Sequence, residues 1–185
     1  MGSVLPLPNL KRVEMRKVIL NLAVSLDGYI EGPKGEYDWC FTDQDYGMTR
    51  FLSHVDAVFY GRKSYQLVCP MGPNAYPNLA RYVFSRTLTS AEGAIVISDD
   101  VKANVERLKR KKGKDIWLFG GAELTNSLIS LGLVDEALLS VHPVVLGGGK
   151  PLFRESDRRL KLKLVGMKSY STGLVQLSYR FRKIK

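Results

Sequence analysis

The sequence predicts an α/β fold, and three observations support that prediction. Short β-rich apolar segments alternate with segments of helical spacing from residue 16 to about residue 150. The tail over 160–185 instead alternates apolar and basic residues, which predicts two antiparallel strands joined near 171–173. The 185 residues are 45% apolar, which suits one domain with a substantial core over 15–185. We therefore expect a mostly parallel sheet with an antiparallel edge.

Residues 1–14 are predicted to form a flexible arm ahead of this domain. Their apolar stretch is short and is interrupted by Pro6 and Pro8, so it does not fit a secretory signal. The chain also has no apolar stretch of membrane-spanning length, and only two cysteines and two histidines. This composition argues against a disulfide scaffold and a zinc site, and it favours free thiols in a reducing cytoplasm.

Six strands are predicted ahead of the tail. Each is a short apolar run that ends at glycine, aspartate or another turn-forming residue. The first is nearly continuous in apolar residues, which is typical of a strand buried on both faces. The predicted strands lie over 16–28, 56–61, 81–87, 93–99, 115–119 and the first part of 135–153, before its glycine-rich turn.

Four helices are predicted between these strands from apolar residues spaced three and four apart. Thr42 or Asp43 is a candidate cap for the first. Leu124 and Leu128 share one face of the last, and a cationic turn with Gly113 ends the third. The predicted helices lie over 42–55, 62–68, 100–113 and 122–132.

Gly120 and Gly121 lie between a predicted strand and a predicted helix. Ligands of open α/β sheets bind beyond the carboxyl ends of the strands. Glycine lets the backbone approach a ligand closely, and the first N–H groups of a helix face an anion. This segment, with Ala122 and Glu123, therefore predicts a phosphate cradle. The alternative is a tight turn between strand and helix.

Two other strand ends have similar chemistry. Gly61 precedes the helix start at 62–64, which is rich in basic and hydroxyl groups. Ser85 and Arg86 end another strand and offer a hydroxyl and a fixed positive charge to a phosphate monoester. Each of these strand ends alone is compatible with an ordinary polar turn. Three such strand ends in one small sheet, counting the one at Gly120 and Gly121, favour a phosphate-rich ligand. The glycine-rich segment 146–151 lacks the spacing of a P-loop.

Four segments together resemble one protein family. They are LNLAVSLDGYI (20–30), YGRKSY (60–65), LFGGAEL (118–124) and VHPVVLGGGKPLF (141–153). In order and spacing they are similar to the dihydrofolate reductase-like superfamily, and most closely to the reductase domain of the bacterial riboflavin-biosynthesis deaminase-reductase. The resemblance implies a three-layer α/β/α sandwich with an antiparallel C-terminal hairpin. It also implies NADPH as cofactor and a homodimer.

The resemblance further implies which residues contact the cofactor. Ser85 and Arg86 would lie near the adenosine 2′-phosphate, and the backbone of Ala23 would face the nicotinamide amide. The residues implied around the pyrophosphate are Gly120, Gly121, Ala122, Glu123 and Leu124, together with Gly61, Arg62 and Ser64.

On the substrate side, the resemblance implies hydride transfer to a C=N or C=O carbon of a heterocycle or opened sugar. Asp27 is the candidate acid or substrate anchor, and the alternative is that it only caps an Asp-Gly turn. Trp39 is a candidate to cover the nicotinamide or substrate ring, and the alternative is a hydrophobic loop anchor. Asp45 is a weaker substrate-side candidate, as are Asp38 and Asp43.

Two departures from the family pattern narrow this prediction. Asp45 and Phe51 are not spaced like the acid and phenylalanine of true dihydrofolate reductases, so folate reduction is not predicted. The zinc deaminase motif of the bifunctional enzyme is missing from the sequence. The predicted function is an NADPH-dependent reductase acting on a pteridine- or pyrimidine-type heterocycle or ribosylamino sugar, similar to 5-amino-6-(5-phosphoribosylamino)uracil reductase.

Two alternatives remain open. The net charge is +10, and aromatic residues interleave with the cations of the tail, a pattern compatible with a nucleic-acid-binding domain. Lysines on the solvent face of an edge strand, where they block aggregation, explain the same pattern. Nucleic acid binding is therefore not favoured, since no RNA- or DNA-binding motif occurs. The second alternative is a paralogue that binds NADPH without turnover.

Overall fold

The computed structural model of the protein describes residues 15–68, 76–157 and 159–182. The predicted arm over 1–14 and Cys69 lie outside these residues. The strands are β1 (Val18–Ser25), β2 (Tyr29–Glu31), β3 (Val55–Gly61), β4 (Ala80–Phe84), β5 (Ile95–Ile97), β6 (Asp115–Gly120), β7 (Glu136–His142), β8 (Lys150–Pro151), β9 (Leu162–Ser169) and β10 (Val175–Phe181). The helices are α1 (Met48–Ser53), α2 (Arg62–Val68), α3 (Val101–Arg110) and α4 (Ala122–Ser130).

Eight strands form one sheet in the order β5-β4-β3-β6-β1-β7-β10-β9. Neighbours from β5 to β7 pair in parallel, whereas β10 is antiparallel to both β7 and β9. The predicted mostly parallel sheet with an antiparallel C-terminal hairpin is confirmed. Strands β2 and β8 form a separate two-stranded sheet.

Side chains that alternate along the strands divide the core between the two faces of the sheet. On β6, Ile116 and Leu118 pack on the face covered by α3 and α4, and Trp117 packs on the face covered by α1 and α2. The strand is buried on both sides, as parallel strands between two helical layers are. This arrangement is the predicted three-layer α/β/α sandwich.

The predicted helix over 42–55 is wrong in its first half, because α1 covers only Met48–Ser53. Gly47 precedes it with φ +79, a left-handed conformation that stops a helix from extending backwards. The carboxylate of Asp45 accepts the Thr49 N–H at 2.9 Å and the Thr49 hydroxyl at 2.8 Å, so Asp45 organises the helix start. Asp43 instead accepts a hydrogen bond from the Tyr46 hydroxyl at 2.7 Å.

The predicted loop over 29–39 contains a short strand that the sequence did not indicate. This strand, β2, pairs with β8 in the glycine-rich segment. Gly149 has φ +123, and a Cβ there would lie 2.1 Å from the Glu31 carbonyl oxygen. Only glycine therefore lets the two segments approach this closely, which confirms the predicted close backbone turn over 146–151.

Buried cations join the elements at the amino-terminal ends of the parallel strands. The Arg16 side chain is 7% exposed and pairs with Asp56, which also accepts the Lys114 N–H at 2.8 Å. Lys109 pairs with Asp135 at 2.6 Å, and Asp135 accepts the Val18 N–H at 2.8 Å. Each carboxylate thus serves a cation and a backbone donor from different elements. Within the described residues, no helix has the length and apolar character to span a membrane.

We predict that Asp56→Ala lowers the free energy of unfolding by about 2 kcal/mol, because it leaves Arg16 buried without its carboxylate. Truncating a buried pair costs about 3–5 kcal/mol. The effect here is smaller because the Asp56 side chain is 37% exposed, so water can reach the guanidinium. Urea denaturation measures the change. The control Glu106→Ala breaks the exposed Arg110 pair and costs at most about 0.5 kcal/mol. Equal effects of both variants would contradict the prediction.

Candidate functional site

The predicted ligand-binding residues lie at the carboxyl ends of neighbouring parallel strands. The strands at this edge lie in the order β4, β3, β6 and β1. The predicted residues that follow them are Arg86 after β4, Arg62 after β3, Gly121 after β6 and Asp27 after β1. Adjacent strands are about 4.8 Å apart, so a ligand reaching from Arg86 to Ala23 on β1 crosses about 14 Å. A ligand that contacted both Arg86 and Ala23 would therefore have to be extended.

Glycines bring the ends of β3 and β6 together. A Cβ on Gly61 would lie 3.5 Å from the Gly120 carbonyl oxygen and 3.6 Å from the Leu124 Cβ. A Cβ on Gly121 would lie 3.2 Å from the Ser64 Oγ, which is tighter than ordinary packing. The starts of α2 and α4 therefore lie close together, and a side chain at Gly61 or Gly121 would occupy the space between them.

The first turn of α4 presents backbone donors at this point. The first helical hydrogen bond of α4 runs from the Thr125 N–H to the Gly121 carbonyl at 3.0 Å. The N–H groups of Ala122, Glu123 and Leu124 consequently have no acceptor within the helix. Gly121 caps the helix without a side-chain hydrogen bond. Free donors and the positive end of the helix dipole suit a phosphate group.

A cavity of about 630 Å³ joins the three strand ends. It brings together nine of the eleven predicted cofactor residues; Ala23 and Gly120 do not line it. Ala23 is half-buried in β1, and Gly120 is buried at the end of β6. The predicted residues that line the cavity are Gly61, Arg62, Ser64, Ser85, Arg86, Gly121, Ala122, Glu123 and Leu124.

Ser85 and Arg86, the predicted phosphate-monoester pair, lie just after β4, which ends at Phe84 rather than at the predicted residue 87. Ser85 Oγ accepts the N–H groups of Thr87 at 3.2 Å and Leu88 at 3.0 Å, and this turns the chain. Arg86 is exposed and has no hydrogen bond or ion pair within the described residues. Its guanidinium is therefore available to a ligand.

The cavity also has lining residues outside the predicted cofactor set. Lys63 and Lys150 add positive charge, and Phe84, Ile97 and Val101 form an apolar side toward β5. Lys63 belonged to the basic helix start noted above, so its charge was a usable signal. Lys150 could not be placed from the sequence, because its position depends on the pairing of β2 with β8. Asp99 and Asp100 also line this side, and Asp100 caps α3 through Ala103.

Asp27 ties the end of β1 to the glycine-rich loop. Its carboxylate accepts hydrogen bonds from the Ser25 hydroxyl at 2.6 Å, the Leu146 N–H at 3.2 Å and the Gly147 N–H at 2.8 Å. The Ser25 hydrogen bond holds the pKa of Asp27 below its usual range, and the two backbone donors add to this effect. Asp27 is therefore ionised at neutral pH, which suits an anchor more than a proton donor.

Trp39 packs against the end of β7 rather than in the 630 Å³ cavity. Its ring meets His142 edge-to-face at 5.3 Å. The indole N–H is buried and has no acceptor in the part of the chain that the structure describes. Asp45 lies farther along the same loop and holds α1, and the Thr49 N–H keeps the pKa of Asp45 below its ordinary value. The structure thus separates Trp39 and Asp45 from the predicted cofactor residues, on the far side of Asp27.

Within the described residues, no group of three or more histidine, cysteine, aspartate or glutamate side chains is placed to hold a metal ion. The chemistry available at this edge comes from backbone donors, cations and the carboxylate of Asp27.

Comparison with known families gives a match over nearly the whole chain. The family model described as the RibD C-terminal domain matches residues 16–176. Uncharacterized protein YyaP of Bacillus subtilis is 47% identical over 182 residues, covering 91% of this chain and 97% of YyaP.

Solved structures share the fold. A structure named as a riboflavin biosynthesis protein of Shewanella sp. PV-4 gives a TM-score of 0.80 at 24% identity, over 90% of this chain and 99% of that one. The structure of the Thermotoga maritima diaminohydroxyphosphoribosylaminopyrimidine deaminase/5-amino-6-(5-phosphoribosylamino)uracil reductase gives a TM-score of 0.68 at 14% identity. The match covers 91% of this chain and 57% of that one. Enterococcus faecalis dihydrofolate reductase gives a TM-score of 0.66 at 15% identity, and the match covers 89% of this chain and 96% of that one. At these identities the likeness shows the fold, and it confirms the dihydrofolate reductase-like architecture.

We predict that Asp27→Asn loosens the glycine-rich loop, because a neutral amide oxygen accepts the Leu146 and Gly147 donors more weakly than a carboxylate does. Hydrogen exchange of peptides covering 144–149 should accelerate, with β6 peptides unchanged. The control Asp38→Asn alters an exposed carboxylate that forms no hydrogen bond or ion pair within the described residues. Unaltered exchange over 144–149 in Asp27→Asn would show that the loop does not depend on this carboxylate.

Proposed function

Because the chain belongs to the RibD C-terminal domain family, we propose that it is an NADPH-dependent reductase. Its substrate is a pteridine- or pyrimidine-type heterocycle or a ribosylamino sugar, as for a 5-amino-6-(5-phosphoribosylamino)uracil reductase. Family membership supports a reductase of this type. The observation that carries the finer proposal is the cavity in which two helix starts converge with Arg86, which has no partner among the described residues.

The residues present fit the phosphates of a dinucleotide. Ala122, Glu123 and Leu124 offer N–H groups that have no acceptor within the helix, beside Gly121, where an added Cβ would lie 3.2 Å from the Ser64 Oγ. These donors suit a pyrophosphate, and the hydroxyl of Ser64 lies next to them. Arg86, one strand beyond β3, suits the 2′-phosphate that distinguishes NADPH from NADH.

The remaining lining suits the adenine base. Phe84, Ile97 and Val101 provide apolar surface for a flat ring, and Asp99 lies near them as an acceptor for an amino group. Most lining cations belong to the β3 and β4 ends, so the charge is concentrated where the phosphates would lie. The cavity therefore offers each part of an adenine nucleotide a matching surface.

Substrate and nicotinamide are assigned to the β1 side of the same edge. When bound, the reduced nicotinamide supplies the hydride, while the protein aligns the reacting groups and excludes water. Ala23 would contact the nicotinamide amide through its backbone, and Trp39 and Asp45 belong to the loop on the substrate side. Asp27 is proposed as the substrate anchor. A proton-donor role would appear as lost turnover in Asp27→Asn with unchanged nucleotide affinity.

The positive charge of the C-terminal tail has an explanation other than nucleic acid binding. Strand β9 is an edge strand, and Lys163 and Lys168 lie on its polar face opposite Arg180 and Gln176. Lysines at this position discourage strand-to-strand aggregation. Arg180 is also paired with Glu136 at 3.2 Å, so part of the charge is satisfied within the chain.

We propose a homodimer formed through the opposite, apolar face of this hairpin. Leu164 pairs with Tyr179 and Met167 with Leu177. The neighbours of Tyr179 and Leu177 on β7 are core residues, so this face continues the core beyond the helices. Leu164 is 51% exposed and Met167 70% exposed. Such an apolar sheet face suits a self-complementary contact with a second copy.

We predict that the double variant Leu164→Lys/Met167→Lys is monomeric while the native chain is dimeric, because two charges would be buried in the contact. Light scattering after size-exclusion chromatography measures the mass. The control Lys163→Glu/Lys168→Glu changes the polar face and should stay dimeric. A monomeric native chain, or a dimeric Leu164→Lys/Met167→Lys variant, would contradict the proposed interface.

We predict that the protein binds NADPH more tightly than NADH, and that Arg86→Ala removes this preference. A lost charge-assisted contact lowers NADPH affinity about tenfold or more and leaves NADH affinity unchanged. Calorimetric titration at moderate salt measures the affinities for NADPH and NADH. Arg50→Ala, which changes an exposed arginine on α1, should bind like the native chain.

A second variant tests the pyrophosphate position in the same titration. Gly121→Ala should weaken NADPH and NADH alike, about tenfold, because its methyl group enters the cavity shared by both nucleotides. Its φ of −68° accepts alanine, so the fold is retained. Gly166→Ala on β9 is the matched control. Failure of both nucleotides to bind the native chain would refute the proposed function.

A further inference from the structure

His142 is a buried histidine that neither the sequence analysis nor the proposed reaction assigns. It ends β7 and is 2% exposed. Its partner across the β1–β7 pairing is Ser25, whose hydroxyl donates to Asp27. His142 therefore lies beside the residues that form the substrate side of the edge.

The hydrogen bonds of His142 define its protonation state. The backbone N–H of Phe41 can only donate, and it lies 3.1 Å from Nε2. Nε2 is consequently an acceptor, and the ring proton resides on Nδ1, which donates to the Ser140 carbonyl at 3.0 Å. Both nitrogens are used, and only the neutral Nδ1–H tautomer makes both bonds.

Aromatic contacts reinforce this attachment. Trp39 meets the imidazole edge-to-face at 5.3 Å, and Phe41 meets it at 5.0 Å. The imidazole thus contacts residues 39–41 through two aromatic rings and through the Phe41 backbone. Phe41 stacks in turn on Tyr46, which contacts Tyr170 of the hairpin turn, so the attachment continues into the loop ahead of α1.

We propose that His142 is a positioning residue that clamps residues 39–41 against the end of β7, beside the substrate side of the site. Its importance for turnover rests on the proposed function, whereas the clamp is a property of the chain itself. The neutral imidazole accepts from Phe41; a protonated one cannot, because both of its nitrogens would be donors. Protonation therefore releases the loop.

Ionisable groups on the segments next to His142 have pKa values shifted away from the range in which an imidazole titrates. Burial raises the pKa of Cys40 to about 11. Hydrogen bonds from Ser25 and Tyr46 hold the pKa values of Asp27 and Asp43 below their ordinary range. The titratable groups near the imidazole are Asp27 on the β1 side and Asp38, Cys40, Asp43 and Tyr46 in the loop.

The sign of the pH dependence follows from burial, which lowers the pKa of His142 below its ordinary value. The unfolded chain takes up its proton at about pH 6.5. The clamp is therefore fully formed above that pH and is lost as the pH falls through the lower folded-state pKa.

Hydrogen exchange of peptides covering 38–46 tests the clamp without any ligand. After correction for intrinsic rates, protection in the native chain should fall about tenfold between about pH 7.5 and pH 5. His142→Asn keeps a donor near Nδ1 but has no atom at Nε2, so it should lose protection at both pH values. His142→Gln places an oxygen near Nε2 and should keep protection that no longer depends on pH. The control is His54→Gln, which changes the other histidine, exposed at the end of α1, and should behave like the native chain.

Protection over 38–46 that is equal in the native chain and in His142→Asn would overturn the proposal, as would unchanged pH dependence in His142→Gln. NADPH titration of His142→Asn separates this proposal from the proposed function. We expect native affinity there, because the imidazole lies away from the 630 Å³ cavity. If the native chain bound no nucleotide, the proposed reductase function would be refuted. The proposed role of His142 would then be tested by the hydrogen exchange result alone.

Discussion

The close approach of β3 and β6 at their glycine ends is the constraint on which the site depends. Parallel strands direct their carboxyl ends to one edge, and the helices that follow begin there with unpaired N–H groups. Side chains at Gly61 and Gly121 would fill the space between these helix starts. Because both positions are glycine, the donors of α4 and the cations of α2 and β4 face one cavity. A phosphate-rich ligand is the chemical complement of that surface.

The two edges of the sheet are stabilised by different interactions. At the amino-terminal edge, Arg16 and Lys109 are buried and paired with carboxylates that also accept backbone donors. At the carboxyl edge, the loop over 39–41 buries the Trp39 indole N–H, which has no acceptor among the described residues, and such a donor costs about 1–3 kcal/mol. The hydrogen bond from Phe41 to His142 contributes about 1 kcal/mol, and the aromatic contacts of His142 with the loop contribute about 1 kcal/mol more. The net free energy that holds the loop in place is therefore small, so the loss of one imidazole contact is enough to release it.

Much of the architecture was predictable because strand and helix periodicities differ, and because the glycines at 61 and 120–121 fall at strand ends. The mostly parallel sheet, the hairpin and nine of the cavity-lining residues were predicted this way or through the family resemblance. The first half of the helix over 42–55 was wrong because Gly47 takes a left-handed conformation that apolar spacing does not reveal. His142 and Lys150 could not be assigned, since their roles depend on contacts with residues about 100 or more positions away in sequence.

Phosphorus NMR of NADPH in the presence of the protein tests the central claim most directly, because each phosphate group gives its own signal. We expect the pyrophosphate signals to shift through the α4 donors and the 2′-phosphate signal to shift through Arg86. A spectrum that is unchanged at equal concentrations of protein and nucleotide would contradict the claim that these strand ends form a dinucleotide site.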